Sequence, residues 1–257
     1  MLTAERRKRI LEFISREGRA EVAELAEYFG VSGMTIRRDL NALDANGLLE
    51  RAHGGAVANG SFAREVPYRF KAISNIDLKR QIARAAAALV KDGDTLILDA
   101  GSTALEIAKQ LKKQKNGLTI VTPDLKIAIE LADVPGFKVL TTGGMVQCET
   151  YCCLGEEALT FLKTISVNIA FIGTPSIDLA SGLYTPTLAK AHLKKAMINS
   201  ANQVVIAADH TKFGRRAFSK ICGFESVHSV ISDNQLSSPS VAKLEQMGIK
   251  VILAQAE

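Results

Sequence analysis

The chain has 257 residues, 47% of them hydrophobic, with 32 Lys and Arg against 27 Asp and Glu for a formal net charge of +5. That length accommodates one small domain and one larger domain with a substantial core. No stretch reaches the ~18 uninterrupted apolar residues of a membrane span, and residues 1–10 are charged where a signal peptide needs an apolar run, so a cytoplasmic location without a membrane partner is expected.

The first predicted helix, residues 4–16, carries Ile10, Leu11, Phe13 and Ile14 as its buried side. A second reads through Val22, Leu25, Ala26 and Phe29, and Gly30–Val31 makes a tight turn after it. Ser32 is placed to cap a third helix, because its hydroxyl can accept from an otherwise unpaired amide in the first turn. There Ile36, Leu40 and Leu43 fall on one stripe. Arg38 lies nearly opposite that stripe, with Met34 and Asn41 close to it and Thr35 and Arg37 on the flanks. Gly47 is placed to end the helix in a left-handed conformation. Arg51 and His53 then flank a predicted Gly54–Gly55 turn, the pattern of a short basic hairpin.

These are the parts needed to read DNA. A groove-entering helix must offer Arg to guanine edges or phosphates, and small polar groups such as Thr35 and Asn41 to bases and backbone. Residues 1–58 hold nine basic and nine acidic residues, so bulk charge does not carry the inference. Placement does, through Arg6, Arg7, Lys8 and Arg9, Arg37, Arg38 and Arg51. Double-stranded DNA read at repeated half-sites by a symmetric oligomer is the expected partner.

Residues 59–76 read as a linker, with Gly60, Ser61 and Pro67. The basic residues that cluster between 61 and 91 fit a solvated connector and helix as well as a surface near DNA. From residue 77 onward, short apolar runs alternate with helical patterns. Strands are predicted at 95–99, 118–122, 137–141, 167–172, 203–208, 226–232 and 249–254, and helices at 78–90, 104–113, 125–131, 156–163, 188–200 and 240–247. This alternation predicts an α/β domain with a mostly parallel sheet covered on both faces.

Ligands of such sheets bind at the carboxyl ends of the strands. Small polar or Gly-rich clusters follow five of the predicted strands, at 99–103, 122–124, 141–144, 173–174 and 209–214. Their chemistry suits an anion. Gly101 allows close backbone approach, Ser102 and Thr103 supply hydroxyls, and the amides opening the next helix point outward. Gly143 and Gly144 offer a second loop of amides, Lys212 adds a positive charge, and Asp99 is suited to sugar hydroxyls.

The run Val31–Ser32, Met34–Thr35–Ile36–Arg37–Arg38–Asp39–Leu40, Leu43, Gly47, Arg51 and His53–Gly54–Gly55–Ala56 resembles the signature of the DeoR-type winged helix-turn-helix repressors. The resemblance continues through Asp99, Gly101–Ser102–Thr103, Thr142–Gly143–Gly144, Gly155, residues 170–173, Lys194, Met197, Asp209 and Lys212–Phe213–Gly214. It implies a bacterial transcription regulator whose second domain is similar in fold to ribose-5-phosphate isomerase, and a phosphorylated sugar effector. Its phosphate is expected at 101–103, with Asp99, Thr122, Thr142, Gly143, Gly144, Lys194, Asp209 and Lys212 around it. The chain departs from the family pattern at Asn168, Thr174–Pro175–Ser176, Thr122–Pro123–Asp124, Ala189, Lys190, His192 and Cys152–Cys153, which leaves the effector's identity open.

Two other readings stand beside repression by a sugar-phosphate-responsive regulator. One is a regulator whose α/β domain only oligomerises. The other is a sugar-phosphate isomerase with an attached DNA-binding module, for which no His or Glu stands out as a general base. The four cysteines, Cys148, Cys152, Cys153 and Cys222, fit no standard zinc spacing and are read as small side chains beside a loop, so neither a metal nor a cofactor is expected.

Overall fold

The computed structural model describes residues 2–46, 48–58 and 65–255, which fall into two compact units, residues 1–74 and 75–257. Gly47 and residues 59–64, the core of the predicted linker, lie outside the described residues.

The first unit opens with α1 (Thr3–Glu17) and a short strand β1 (Arg19–Glu21), followed by α2 (Val22–Phe29) and α3 (Gly33–Ala45). A hairpin of β2 (Leu49–Ala52) and β3 (Gly55–Ala58) follows, then α4 (Tyr68–Ile73), which falls within the predicted linker. Ile10 and Ile14 of α1 pack with Leu25, Ile36, Leu40, Leu43 and Leu49 into one small core, while Leu11 and Phe13 are only partly buried against it. Glu21 and Glu24 form a reciprocal capping box that starts α2. Gly30 ends that helix in the left-handed region at φ 63°. Ser32 then caps α3, accepting from the Thr35 amide at 3.2 Å. Three residues, Gly30, Val31 and Ser32, therefore separate the end of α2 from the start of α3.

The wing has three strands in the order β1-β3-β2, all antiparallel. Strand β1 is three residues long, too short for any alternation to show in sequence.

The second unit begins with α5 (Ile76–Ala88) and β4 (Thr95–Leu98), then α6 (Ser102–Gln114), β5 (Thr119–Thr122), α7 (Leu125–Ala132) and β6 (Lys138–Thr141). A hairpin of β7 (Met145–Gln147) and β8 (Cys152–Leu154) precedes α8 (Glu156–Leu162) and β9 (Val167–Ile172). Next come β10 (Ser176–Asp178), β11 (Gly182–Thr185), α9 (Leu188–Asn199), β12 (Ala201–Ala207), β13 (Ser219–Cys222), β14 (Ser229–Asp233), α10 (Ser238–Gln246) and β15 (Lys250–Ala254).

All seven predicted strands form one sheet in the order β15-β14-β12-β9-β4-β5-β6, every pairing parallel. Strand side chains alternate between faces, and the two cores divide accordingly. Leu96, Leu98, Ile120, Ile169, Phe171 and Val205 pack with α5, α6 and α7. Ile97, Ala170, Ile172, Val204 and Ile206 pack with α8 and α9 on the other face. A second, three-stranded antiparallel sheet, β10-β11-β13, and the β7–β8 hairpin are additions that the sequence patterns did not reveal. Among the described residues, no helix is long and apolar enough to cross a membrane.

Strand order fixes where a ligand crevice can form. From β4 the chain moves outward through β5 and β6, then returns to place β9 on the other side of β4. The carboxyl ends of β4 and β9 therefore flank the topological switch point.

Candidate functional site

The first candidate surface is the exposed side of α3. Ser32, Met34, Arg37, Arg38 and Asn41 are exposed, and Thr35 is half-buried with its hydroxyl 3.0 Å from that of Ser32. Asp39, on the opposite side, is only 1% exposed. Its two carboxylate oxygens accept from Arg6 Nε at 2.6 Å and Arg7 Nε at 2.7 Å. This corrects the placement of Arg6 and Arg7 among the DNA-facing cations: they fasten α1 to α3, and Arg6 is buried. Arg9 is exposed and pairs with Glu5 one turn earlier.

The wing also differs from expectation. Ala52 pairs with Gly55, so the turn residues are His53 and Gly54, both exposed, with Gly54 at φ 78°. Gly55 is a buried strand residue opposite Glu21, where a Cβ would sit 2.1 Å from the Ala20 carbonyl oxygen. It serves the close approach of β1 and β3, not a contact with DNA. Arg51 is half-buried, and its Nη1 has no hydrogen-bond partner among the described residues.

The second candidate site lies at the switch point. Asp99, just past β4, is buried, and its carboxylate accepts from its neighbour's amide at Ala100 (2.7 Å), from the Gly173 amide past β9 (2.9 Å) and from the Lys194 ammonium. Lys194, also buried, further donates to the Gly173 carbonyl at 2.8 Å. Asp99 and Lys194 thus clamp the two strand ends together. Where sugar hydroxyls were expected, Asp99 meets three donors of the protein itself and braces the strand ends.

The Gly101 loop is held from the other side. Its amide donates to Asp124 Oδ2 at 3.0 Å, while Asp124 Oδ1 caps α7 through the amides of Lys126 (2.8 Å) and Ile127 (3.4 Å). Burial pushes the Asp124 carboxyl up to about 6, against the lowering effect of those three amides. Gly101 sits at φ 147°, and the first helical bond runs from the Leu105 amide to the Gly101 carbonyl at 3.0 Å. The amides of Ser102, Thr103 and Ala104 precede that bond and have no acceptor within the helix, so they are the donors available to an anion.

Thr122 is turned into the protein. It is fully buried, and its hydroxyl accepts from the Asp124 amide at 3.1 Å. Thr142 is buried as well, its hydroxyl directed to the Gly143 carbonyl at 3.3 Å. Gly143 and Gly144 both adopt left-handed backbone, and their loop leads into β7 instead of a helix. A Cβ on Gly144 would stand 2.5 Å from the Leu154 carbonyl, so that glycine permits close packing of β8. Asp209 and Lys212 follow β12, two strands from β4, with Lys212 Nζ 3.8 Å from the Asp209 carboxylate.

The burial of several charged residues here escaped the sequence reading. Lys190 is buried one turn before Lys194 on α9. Together with Lys194, Asp99 and Asp124 it acts on the thiol of Cys152, which burial pushes up to about 12. Cys152 and Cys153 are buried strand residues of β8, not loop residues, and at that pKa the Cys152 thiol is inert at neutral pH. Lys79 on α5 is buried as well, and His210 Nδ1 lies 2.8 Å from the fully buried Asp233. Helix-face periodicity treats buried lysines as solvent-facing, so only the fold reveals them. Among the described residues no cluster of His, Cys, Asp or Glu could hold a metal ion.

The model of the DeoR-like helix-turn-helix domain matches residues 6–62, and that of the DeoR C-terminal sensor domain matches residues 74–234. The chain belongs to the DeoR family of transcriptional regulators. It is 37% identical over 252 residues to the HTH-type transcriptional regulator GlpR of Haloferax volcanii, covering 98% of each chain. It is 31% identical over 233 residues to the glycerol-3-phosphate regulon repressor of Escherichia coli, covering 91% of this chain and 92% of that one. A solved ribose 5-phosphate isomerase of Methanocaldococcus jannaschii aligns over 55% of each chain at 22% identity and a TM-score of 0.41. As a DeoR-family member the chain is a DNA-binding regulator with a sensor domain and not an isomerase, which sets aside the enzyme reading.

Proposed function

We propose that this regulator represses a sugar or sugar-alcohol catabolic operon and that a phosphorylated sugar relieves the repression. Operator DNA is read by α3, with Arg38, Arg37, Asn41, Thr35 and Met34 toward the groove and Ser32 at its capped start. Arg51, His53 and Gly54 of the wing brace the backbone. A single winged unit contacts few bases, so the working form is a homo-oligomer, a dimer or tetramer, in the cytoplasm where its DNA lies.

The observation that carries the effector reading is the loop opening α6. Three helix-terminal amides and the Ser102 and Thr103 hydroxyls stand at the switch point of a parallel sheet, on a loop fixed by Asp124. The ester's phosphate binds there, and Lys212 and the Gly143 amide reach toward it from the loops after β12 and β6, each two strands from β4. Asp99, Lys194, Thr122, Thr142 and Gly144 shape the site without being its donors. The name of the Escherichia coli relative, a glycerol-3-phosphate regulon repressor, is consistent with a small phosphate ester.

A thermal-shift screen with sugars and sugar alcohols, each with and without phosphate, tests the effector reading. Stabilisation by a phosphate ester that is lost in Ser102→Ala and Thr103→Val proteins supports it. The absence of any phosphate-dependent shift contradicts it.

A further inference from the structure

Asp209 joins two segments far apart in sequence. It is 1% exposed, and its Oδ1 accepts from the Thr211 amide at 3.1 Å, from the Thr211 hydroxyl, and from Asn75 Nδ2 at 3.4 Å. Burial pushes the carboxyl up, but the Lys212 charge, the Thr211 hydroxyl and the Lys79 charge outweigh it, and the group stays below the usual carboxylate range. One buried anion is thus shared between the loop after β12 and the first turn of α5, where the Lys79 amide donates to the Asn75 carbonyl at 3.1 Å.

The position of Asn75 gives this sharing a consequence. It is the first residue of the sensor unit, directly after Ser74, the last residue of the DNA-binding unit. Its backbone is left-handed, at φ 51°, a conformation that Asn tolerates better than most side chains. The chain therefore enters α5 through a defined turn whose side chain and next-turn lysine both address Asp209.

We propose that Asn75 and Lys79 are positioning residues that report occupancy of the sensor's anion site to the chain entering from the DNA-binding unit. This rests on the reading that a phosphate binds at the strand ends. Lys212 is the movable member: its side chain is 34% exposed, and its Nζ stands 3.8 Å from the Asp209 carboxylate, farther than the Thr211 amide and the Asn75 side chain. A phosphate drawing Lys212 away leaves Asp209 buried with fewer cations, and a buried carboxylate must then lean on its remaining partners. Those are Thr211, Asn75 and Lys79. Beside them, His210 past β12 is paired with Asp233 at the end of β14 through both its amide and its ring. Occupied and empty sites thus differ in how firmly the first turn of α5 is held, the difference between states that an effector requires.

Hydrogen–deuterium exchange on the full chain, with millimolar inorganic phosphate against chloride at equal ionic strength, tests this. Asn75→Gly is the variant of choice, since glycine keeps the left-handed backbone and removes only the side-chain amide. In the unaltered protein phosphate slows exchange at residues 102–105 and, by about threefold or more, at 79–82. In Asn75→Gly and in Lys79→Met the slowing at 102–105 persists while that at 79–82 is lost. Slowing at 102–105 without any change at 79–82 in the unaltered protein overturns the proposal, as does an equal response at 79–82 in both variants. If 102–105 do not respond at all, the anion-site reading falls and this inference with it.

Discussion

Asp124 Oδ2 accepts from the Gly101 amide at 3.0 Å, so the carboxylate that caps α7 also fixes the loop that opens α6. An ionisable group therefore helps set the geometry of the proposed anion site. Burial raises its pKa from 3.8 to about 6, so the folded state holds the proton more firmly than the unfolded state does. The stabilisation associated with the protonated form is complete below about pH 4 and is lost as pH rises through about 6, a change on the order of 3 kcal/mol for a shift of about two units. Denaturant midpoints collected across that window check it. The stability of the unaltered protein relative to Asp124→Asn falls as pH rises from about 4 to 7; a difference that does not change with pH would refute the assignment.

The Asp39 pair with Arg6 and Arg7 separates structural from DNA-facing charge. Removing a buried partner leaves the other charge uncompensated, so Asp39→Ala costs the N-terminal unit about 3–5 kcal/mol in urea unfolding. Arg38 is exposed and has no such task. Arg38→Ala leaves unfolding within about 0.5 kcal/mol and lowers affinity for DNA, recovered by selection from a random pool with the unaltered protein, by about 1–3 kcal/mol. Unchanged affinity would remove Arg38 from the reading face.

The two wing glycines make opposite demands. Gly54 stands in open space at φ 78°, so Gly54→Ala costs only the left-handed backbone term of about 1–2 kcal/mol. Gly55→Ala drives a methyl group against the Ala20 carbonyl and must move β1 or β3. It is expected to lower both thermal stability and DNA affinity more than Gly54→Ala, as measured by calorimetry and fluorescence anisotropy. Equal effects would contradict the close-approach role of Gly55.

Much of this molecule was legible in its sequence, for reasons that particular residues explain. The Ile36, Leu40, Leu43 stripe and the Ser32 cap located α3, because one-sided burial and amide capping leave direct marks on residue order. The seven parallel strands were visible as apolar runs because both faces of that sheet are covered. Three-residue strands such as β1, β8 and β10 were not visible, since alternation needs more length to leave a mark. At the candidate site the fold gives several of the expected residues a structural partner. Asp99, Thr122 and Gly55 occur where ligand contacts were expected, yet each meets a backbone group of the protein itself. Lys79 and Lys190 are the reverse case: long cations on helices look solvated until the fold buries them.

Release of DNA by a phosphate ester at the Gly101–Thr103 loop is read out by anisotropy titration of the selected DNA. Kd is measured with and without each of a set of sugar and sugar-alcohol phosphates and their unphosphorylated counterparts. At least one phosphate ester is expected to raise Kd about tenfold or more, a change of about 1.4 kcal/mol, while its unphosphorylated form does not. Ser102→Ala abolishes that increase and leaves the ligand-free Kd unchanged. A Kd that no phosphate ester moves would contradict the account.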